Sequence, residues 1–358
     1  MPSGLLQRLL TRSGVLPFLR SQWREDQKSA AAKLETRLDK QLASLKEQID
    51  RMSALTEKMQ RIEPLADAAE RIGNVDRDVR MLRETLALNI ARRQQEADGA
   101  VLFDAGRVGA HVQRAIGQAR MESDPSAHIL INGLVPDDTY RAVLDGIPPK
   151  VFFSQKDNAK QNLKLAQIDV APDWTLKTLT FLEQALIPRM MVPALLKQFE
   201  PHIRDFYVRE YGTERGPLLA AIPHEATGGR LMLRRPGYHL DPHLDPKRVV
   251  FTCLIYFARP GDSEAYGTSF YRINGTPKID RTSTFYPESQ GLTCDVVKMV
   301  PFKANTAVAF LNYGAAHGAD IPKTAPKDTE RYAYQFYVSP EPGALAALVG
   351  ETEAAVAE

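Results

Sequence analysis

Cysteine is nearly missing from this chain. Cys253 and Cys294 are the only two among 358 residues. Two thiols so far apart build neither a disulfide framework nor a thiolate zinc site, and both are expected to be reduced, as in a cytoplasmic protein. An excess of charge of one sign is also missing: 46 Lys and Arg against 44 Asp and Glu leave a formal +2. With no basic stripe in the second half of the chain, nucleic acid is not an expected partner. Long apolar runs are missing as well. No stretch reaches the ~20 residues that a membrane-spanning helix needs. The start, Gly4 to Arg12, sets Arg8 inside its apolar stretch and has no small-residue cleavage site, so it is a poor secretory signal. Residues 1–22 are therefore expected to be an amphipathic or disordered segment, able to lie on a membrane surface or to pack on another chain.

Strand formers are scarce from Trp23 to Arg93, where Lys, Glu, Arg, Gln, Ala and Leu dominate. Leu38, Leu42, Leu45, Ile49 and Met52 alternate steps of four and three, the spacing of a coiled-coil seam. Leu55, Met59 and Ile62 continue it after a slipped step. Pro64 should end or kink that helix, and Val75, Val79, Leu82 and Leu86 resume the pattern beyond Gly73. A seam this short buries too little alone, so residues 23–98 are expected to be a coiled-coil region that joins copies of the chain. The polar run Arg92 to Gly99 reads as its boundary.

Residues 99–215 read as an α-rich supporting part with a few strands. His128 to Gly133 is expected as a short strand, followed by a helix capped by Asp137 or Asp138. Ile147 to Phe153 reads as extended, Pro172-Asp173-Trp174 as a helix start, and Ile187 to Tyr211 as helix interrupted near Pro193 and Pro201. Beyond Tyr211 the period falls to two. Leu218–Ile222, Gly229–Leu233, Val249–Phe257, Thr268–Ile273, Val296–Val300, Ala307–Leu311, Gly314–Ala319 and Tyr332–Val338 make about eight short strands separated by turn residues. Eight such strands suggest a closed sandwich or jelly roll over 216–340. The tail 341–358 reads as a frayed helix. The class is thus α+β: a double-stranded β-helix core, an α-rich lobe and an N-terminal helical region.

Chemistry concentrates at Arg235-Pro236-Gly237-Tyr238-His239-Leu240-Asp241-Pro242-His243-Leu244-Asp245, answered later by His317 and Arg331. A His and a carboxylate two positions apart, with a distant second His, can occupy one face of a metal. The opposite face then stays open, as a non-haem Fe(II) oxygenase requires. His111, His128, His202 and His224 have no acidic residue two positions away and read as structural. Two overlapping triplets remain, His239/Asp241 and His243/Asp245. In an unbroken strand all four side chains would share one face, so either pair could meet His317.

From about Gly229 to Pro340 the chain resembles the prolyl-4-hydroxylase-like branch of the Fe(II)/2-oxoglutarate dioxygenases. The residues that carry the resemblance are Gly237, His243-Leu244-Asp245, Arg248, Thr252-Cys253-Leu254-Ile255-Tyr256, Gly267-Thr268-Ser269-Phe270, Pro301 to Phe310, His317 and Arg331. It implies His243, Asp245 and His317 as iron ligands, with His239 and Asp241 at the substrate side or as spectators. It also implies Arg331 as the group that holds the distal carboxylate of 2-oxoglutarate, supported by the Tyr256 hydroxyl. Arg234, Arg248, Thr252 and Thr268 become candidates around the substrate or behind the ligands. Three departures stand out. The segment from His317 to Arg331 is long and should protrude; Asn305 stands where a turn Gly is usual; and Leu233-Arg234 replaces a tyrosine on the strand before the metal turn. The last disfavours peptidyl proline, and Arg234, Arg235, Lys247 and Arg248 could meet an anionic substrate.

The implied reaction is oxidative decarboxylation of 2-oxoglutarate to succinate and CO₂, coupled through dioxygen to hydroxylation of a C–H bond, with ascorbate as a possible reductant. Pro-Gly-Tyr-x-x-x-Pro-His-x-Asp and Gly-Thr-Ser-Phe-Tyr resemble bacterial oxygenases of polysaccharide assembly, which implies a glycan or sugar-linked small molecule. A protein side chain is the alternative substrate, and a metal-free jelly-roll binding module tethered by its coiled coil is the alternative of another class.

Overall fold

The computed structural model describes residues 39–53, 70–89, 99–154, 157–167, 171–275 and 283–349. The expectations placed on residues 1–22, on Leu38, Leu55, Met59, Ile62 and Pro64, on the boundary at 92–98 and on the tail beyond 349 lie outside them. Contacts divide the chain into two units, Met1–Asp76 and Arg77–Glu358. In the first, residues 39–53 and 70–76 are helical, and Leu42, Leu45, Ile49 and Met52 are exposed.

The second unit is built on two antiparallel sheets. Its strands are β1 (Met121–Glu122), β2 (His128–Asn132), β3 (Lys160–Leu163), β4 (His224–Arg234), β5 (His239–His243), β6 (Phe251–Tyr256), β7 (Thr268–Asn274), β8 (Thr293–Val300), β9 (Thr306–Leu311), β10 (Ala315–Asp320) and β11 (Arg331–Pro340). The larger sheet runs β1-β2-β9-β6-β11-β4-β3 and the smaller β5-β10-β7-β8. From β4 onward the chain winds between the two sheets, and β4, β11, β6 and β9 lie side by side in one while β5, β10, β7 and β8 form the other. That is a jelly-roll winding of eight strands.

Period-two alternation decides what each face of the larger sheet meets. Leu231 and Leu233, Phe251, Cys253 and Ile255, Ala307, Ala309 and Leu311, and Tyr332, Tyr334, Phe336 and Val338 turn outward into the main core. There they pack on the helices Ala105–Gln118, Asp173–Phe181 and Val192–Ala221. Met232, Leu254, Tyr256, Val308, Phe310 and Ala333 turn inward and meet Phe270 and Val300 of the smaller sheet in a second core. Apolar cover on both faces explains why these strands read as near-continuous apolar runs.

Several local expectations are corrected. Leu218–Ile222 is not a strand: Val192–Ala221 is helical, broken in φ/ψ only at Gly212 (φ 86°), and the helix resumes because Leu219 is taken into the main core. Pro193 and Pro201 do not interrupt it. The strain of proline is met earlier, where Leu182–Met191, with Pro188 inside, widens into a π-helix. Pro136, not Asp137 or Asp138, is the N-cap of the helix Asp137–Gly146. Both acids fall in its first turn, where they still complement the helix dipole, and Asp138 grips Arg107 at 2.9 and 3.1 Å. Ile147–Phe153 is not extended throughout, because Lys150–Phe152 form a 3-10 turn that buries Phe152. The long segment after His317 does not simply protrude, since Ile321 and Ala325 are buried against Tyr238. Asn305 adopts φ 50°, as its side chain permits. The run Asp173–Ala221 is long and apolar enough by composition to cross a membrane, and half of its most apolar window (50%) is buried in this protein's own core.

Candidate metal centre

His243 ends β5 and His317 lies in the middle of β10, and the two are direct cross-strand partners. Opposed residues of an antiparallel pair project to the same face, so a sequence separation of more than seventy residues closes to ring centroids 4.1 Å apart. Asp245 follows two residues after His243. Its Oδ1 lies 3.9 Å from His243 Nε2, and its Oδ2 lies 3.6 Å from His317 Nε2. All three residues are buried, and their ligand atoms lie within 4.8 Å of one another.

The second triplet goes elsewhere, for a reason the sequence does not announce. Between the pairs His317↔His243 and Ala319↔Leu240, three steps on β5 oppose two on β10. One extra residue is a bulge, and it reverses the phase of everything before it. His239 is 62% exposed, with Nδ1 3.0 Å from Asp320 and Nε2 2.8 Å from Asp241. Those carboxylates raise its pKa. Both ring nitrogens face acids at the surface rather than His317. The bulge also needs Gly318, where a Cβ would stand 2.6 Å from the Leu240 carbonyl.

The three buried side chains are set up to receive a cation. His243 Nδ1–H donates to the Asp241 carbonyl at 2.9 Å, which leaves the Nε2 lone pair toward Asp245 and His317. Burial, then the neighbouring His243, pushes the pKa of His317 down to about 3, so its ring is neutral and its nitrogen lone pair is not taken by a proton. Thr252 donates to Asp245 Oδ2 and Tyr337 donates to Oδ1 at 3.4 Å. Burial and the Asp245 charge push the Tyr337 phenol up, so it keeps its proton for that bond. The turn carrying Asp245 is stapled by Asn312, which accepts from Asp245 N at 3.0 Å and donates to the carbonyls of Asp245, Pro246 and Val249.

A cavity of about 150 Å³ opens from the triad toward Arg331 in β11. Arg331 is 3% exposed, touches the Gly267 carbonyl at 3.4 Å, and lies over the rings of Tyr256 and Phe302 at 5.3 and 5.5 Å. Its Nε has no partner among the described residues. A buried guanidinium left this way costs free energy unless an anion completes it. Thr268 lines the cavity, and fully buried Tyr256 donates its hydroxyl to Thr268 Oγ1 at 2.7 Å. Arg234 also lines it, whereas Arg248 does not. The donor set and the orphaned Arg331 Nε together fit an Fe(II) ion and a bidentate acid with a distal carboxylate.

Sequence reasoning missed Asn312, Tyr337, Gln335, Arg230 and Lys160. Arg230 had a visible signal, because it stands in alternation with Met232 and Arg234 on one face of a strand.

No protein-family model matches the sequence, and no curated protein matches it. Solved structures do. A prolyl hydroxylase from Trichoplax adhaerens, in complex with a hypoxia-inducible-factor peptide, is 12% identical with a TM-score of 0.36, over 71% of this chain and 96% of that one. A prolyl-4-hydroxylase from Pseudomonas putida is 13% identical with a TM-score of 0.31, over 65% and 98%. HygX from Streptomyces hygroscopicus, with nickel and 2-oxoglutarate bound, is 14% identical with a TM-score of 0.30, over 61% and 84%. At such identities and TM-scores these likenesses assign no chemistry to this chain, which has to come from its own side chains.

Proposed function

We propose that the protein is an Fe(II)- and 2-oxoglutarate-dependent dioxygenase that hydroxylates a C–H bond. The observation that carries this reading is one cavity holding a buried His243, Asp245 and His317 at one end and the incompletely bonded Arg331 at the other. When bound, Fe(II) with 2-oxoglutarate and dioxygen supplies the oxidation: a C–H bond, O₂ and the keto acid become C–OH, succinate and CO₂. The chain's own residues hold and orient. His243, Asp245 and His317 would hold the metal, Thr252 and Tyr337 keep the carboxylate from turning, and Arg331 receives the distal carboxylate with two charge-assisted donors. Phe302 and Tyr256 exclude water behind that guanidinium, which strengthens the pairing. In binding assays Arg331→Gln is expected to lower 2-oxoglutarate affinity at least a hundredfold while Fe(II) affinity holds. Equal loss of both ligands would show that Arg331 serves the fold and not the keto acid.

The substrate is read as a sugar-linked small molecule or glycan. Tyr286, 37% exposed, stacks on the His243 ring with centroids 5.5 Å apart and lines the same cavity. It offers the apolar face of a sugar ring a flat partner beside the metal site. Substrate-dependent succinate release from glycan and nucleotide-sugar pools, against peptide pools, tests this, and release by peptides alone would refute it. The exposed apolar residues at 42, 45, 49 and 52 further support the reading that the N-terminal helices join copies of the chain. Light scattering of the full chain should then give a mass above that of one protomer.

A further inference from the structure

The oxygenase reading accounts for one of the arginines in the cavity but not for the others, and a charge count shows the surplus. Fe(II), the Asp245 carboxylate, the dianion of 2-oxoglutarate and Arg331 sum to zero. Arg230, Arg234 and Lys160 line the same cavity, and Asp245 is the only acidic side chain lining it among the described residues. Three positive charges thus remain after both cofactor and co-substrate are in place.

Among the described residues none of the three forms an ion pair with an acid. Arg234 is 2% exposed; its Nη1 donates to the Gln161 carbonyl at 2.6 Å, its Nη2 donates to Asn162 Oδ1 at 3.0 Å, and its Nε has no partner among the described residues. Arg230 donates to Gln335 Oε1 from Nε at 3.0 Å and to the Tyr337 hydroxyl from Nη2 at 3.4 Å. All these acceptors are neutral, so they orient the guanidinium without discharging it. A buried cation is normally paired with an acid; Arg234 is buried, Arg230 half-buried and Lys160 exposed at the rim, and no acid pairs with any of them among the described residues.

Register places the surplus relative to the metal. Arg234 is the cross-strand partner of Arg331, and Arg230 that of Gln335, four residues further along β11. Four residues of strand span about 13 Å, beyond the reach of a five-carbon acid already held at Arg331. Arg230 instead lies two hydrogen bonds from the metal carboxylate, through the Tyr337 hydroxyl to Asp245 Oδ1. That is the end of the cavity where a substrate must present its C–H bond.

We propose that the substrate carries an anionic group, a phosphate or a carboxylate, held by Arg230 close to the carbon that is oxidised, while Arg234 and Lys160, paired with each other across the sheet, keep the Arg331 end of the cavity positive. This rests on the oxygenase reading and names the substrate class for it. An arginine fork suits either anion, and Gln335 and Tyr337 hold it preset so that little entropy is lost on binding.

Calorimetric titration of the full chain saturated with Mn(II) and 2-oxoglutarate tests the proposal without turnover. The probes are inorganic phosphate, glucose 6-phosphate against glucose, and galacturonate against galactose. Either charged sugar should bind at least tenfold more tightly than its neutral partner at low salt, and phosphate alone should bind weakly. Arg230→Gln should remove that preference and Arg230→Lys should restore part of it. The proposal is overturned if charged and neutral probes bind alike, if no anion binds, or if Arg230→Gln loses 2-oxoglutarate in step with the anion, which would assign Arg230 to the co-substrate. Failure of 2-oxoglutarate itself to bind the wild-type protein would sink the oxygenase reading instead, so the two failures are distinguishable.

Discussion

A carboxylate that holds a divalent cation has to be kept from turning, and Asp245 is restrained at both oxygens, by Thr252 and by Tyr337. Partners behind a metal ligand are typically worth about 10–100-fold in metal affinity. Thr252→Val should therefore weaken Fe(II) binding by about that factor with little change in thermal stability, measured by anaerobic titration and by melting. Unchanged affinity would show that the bond only decorates the site. His243→Ala and His317→Ala should abolish Fe(II) binding and succinate formation, whereas His239→Ala should keep most of the metal affinity, because His239 is tied to Asp241 and Asp320 at the surface. Equal loss in all three variants would contradict the ligand choice. At this scale residue types and spacing exposed the His, Asp and Arg candidates. Spacing alone left the two identical triplets open, because a bulge is a property of two strands together and leaves no mark in one; only the family resemblance chose His243 and Asp245. Asn312 was hidden for a similar reason: its partners lie more than sixty residues away.

Elements bring these residues together through the pairing of β5 with β10, and that pairing depends on a missing side chain. A Cβ at Gly318 would meet the Leu240 carbonyl at 2.6 Å, and backbone cannot swing aside as a flexible side chain can. Gly318→Ala should cost roughly 1–3 kcal/mol of stability, as overpacking does, and should weaken Fe(II) binding further by parting His317 from His243. Melting and metal titration of the variant check both effects, and a variant that binds Fe(II) normally would contradict the close approach. The strands were legible because β6, β9 and β11 keep branched and aromatic residues on both faces. Leu218–Ile222 was misread because five apolar residues suit a helix end as well as a strand, and only the core that receives Leu219 decides. The π-helix around Pro188 was equally unreadable, since proline alone signals a break and not the way the chain avoids one.

For the molecule as a whole, pH acts through buried imidazoles. Burial holds the pKa values of His128, His224 and His317 below the ordinary 6.5. As pH falls through that value the unfolded chain takes up protons that the folded chain refuses, so folded stability falls. His239 works the other way, since its folded pKa is raised, but it is exposed and offsets only part of the loss. The urea midpoint of metal-free protein should accordingly be lower at pH 5.5 than at pH 7.5, and an equal or higher midpoint at pH 5.5 would contradict the burial assigned to these rings. The most direct measurement of the central claim is anaerobic titration of the protein with Fe(II) and then 2-oxoglutarate, following the weak visible metal-to-ligand charge-transfer absorption of a chelated keto acid. The expected result is a band that saturates at one equivalent of each, persists in His239→Ala and is lost in His317→Ala and Arg331→Gln. Saturating ligands that give no band in the wild-type protein, or a band that survives His317→Ala, would contradict it.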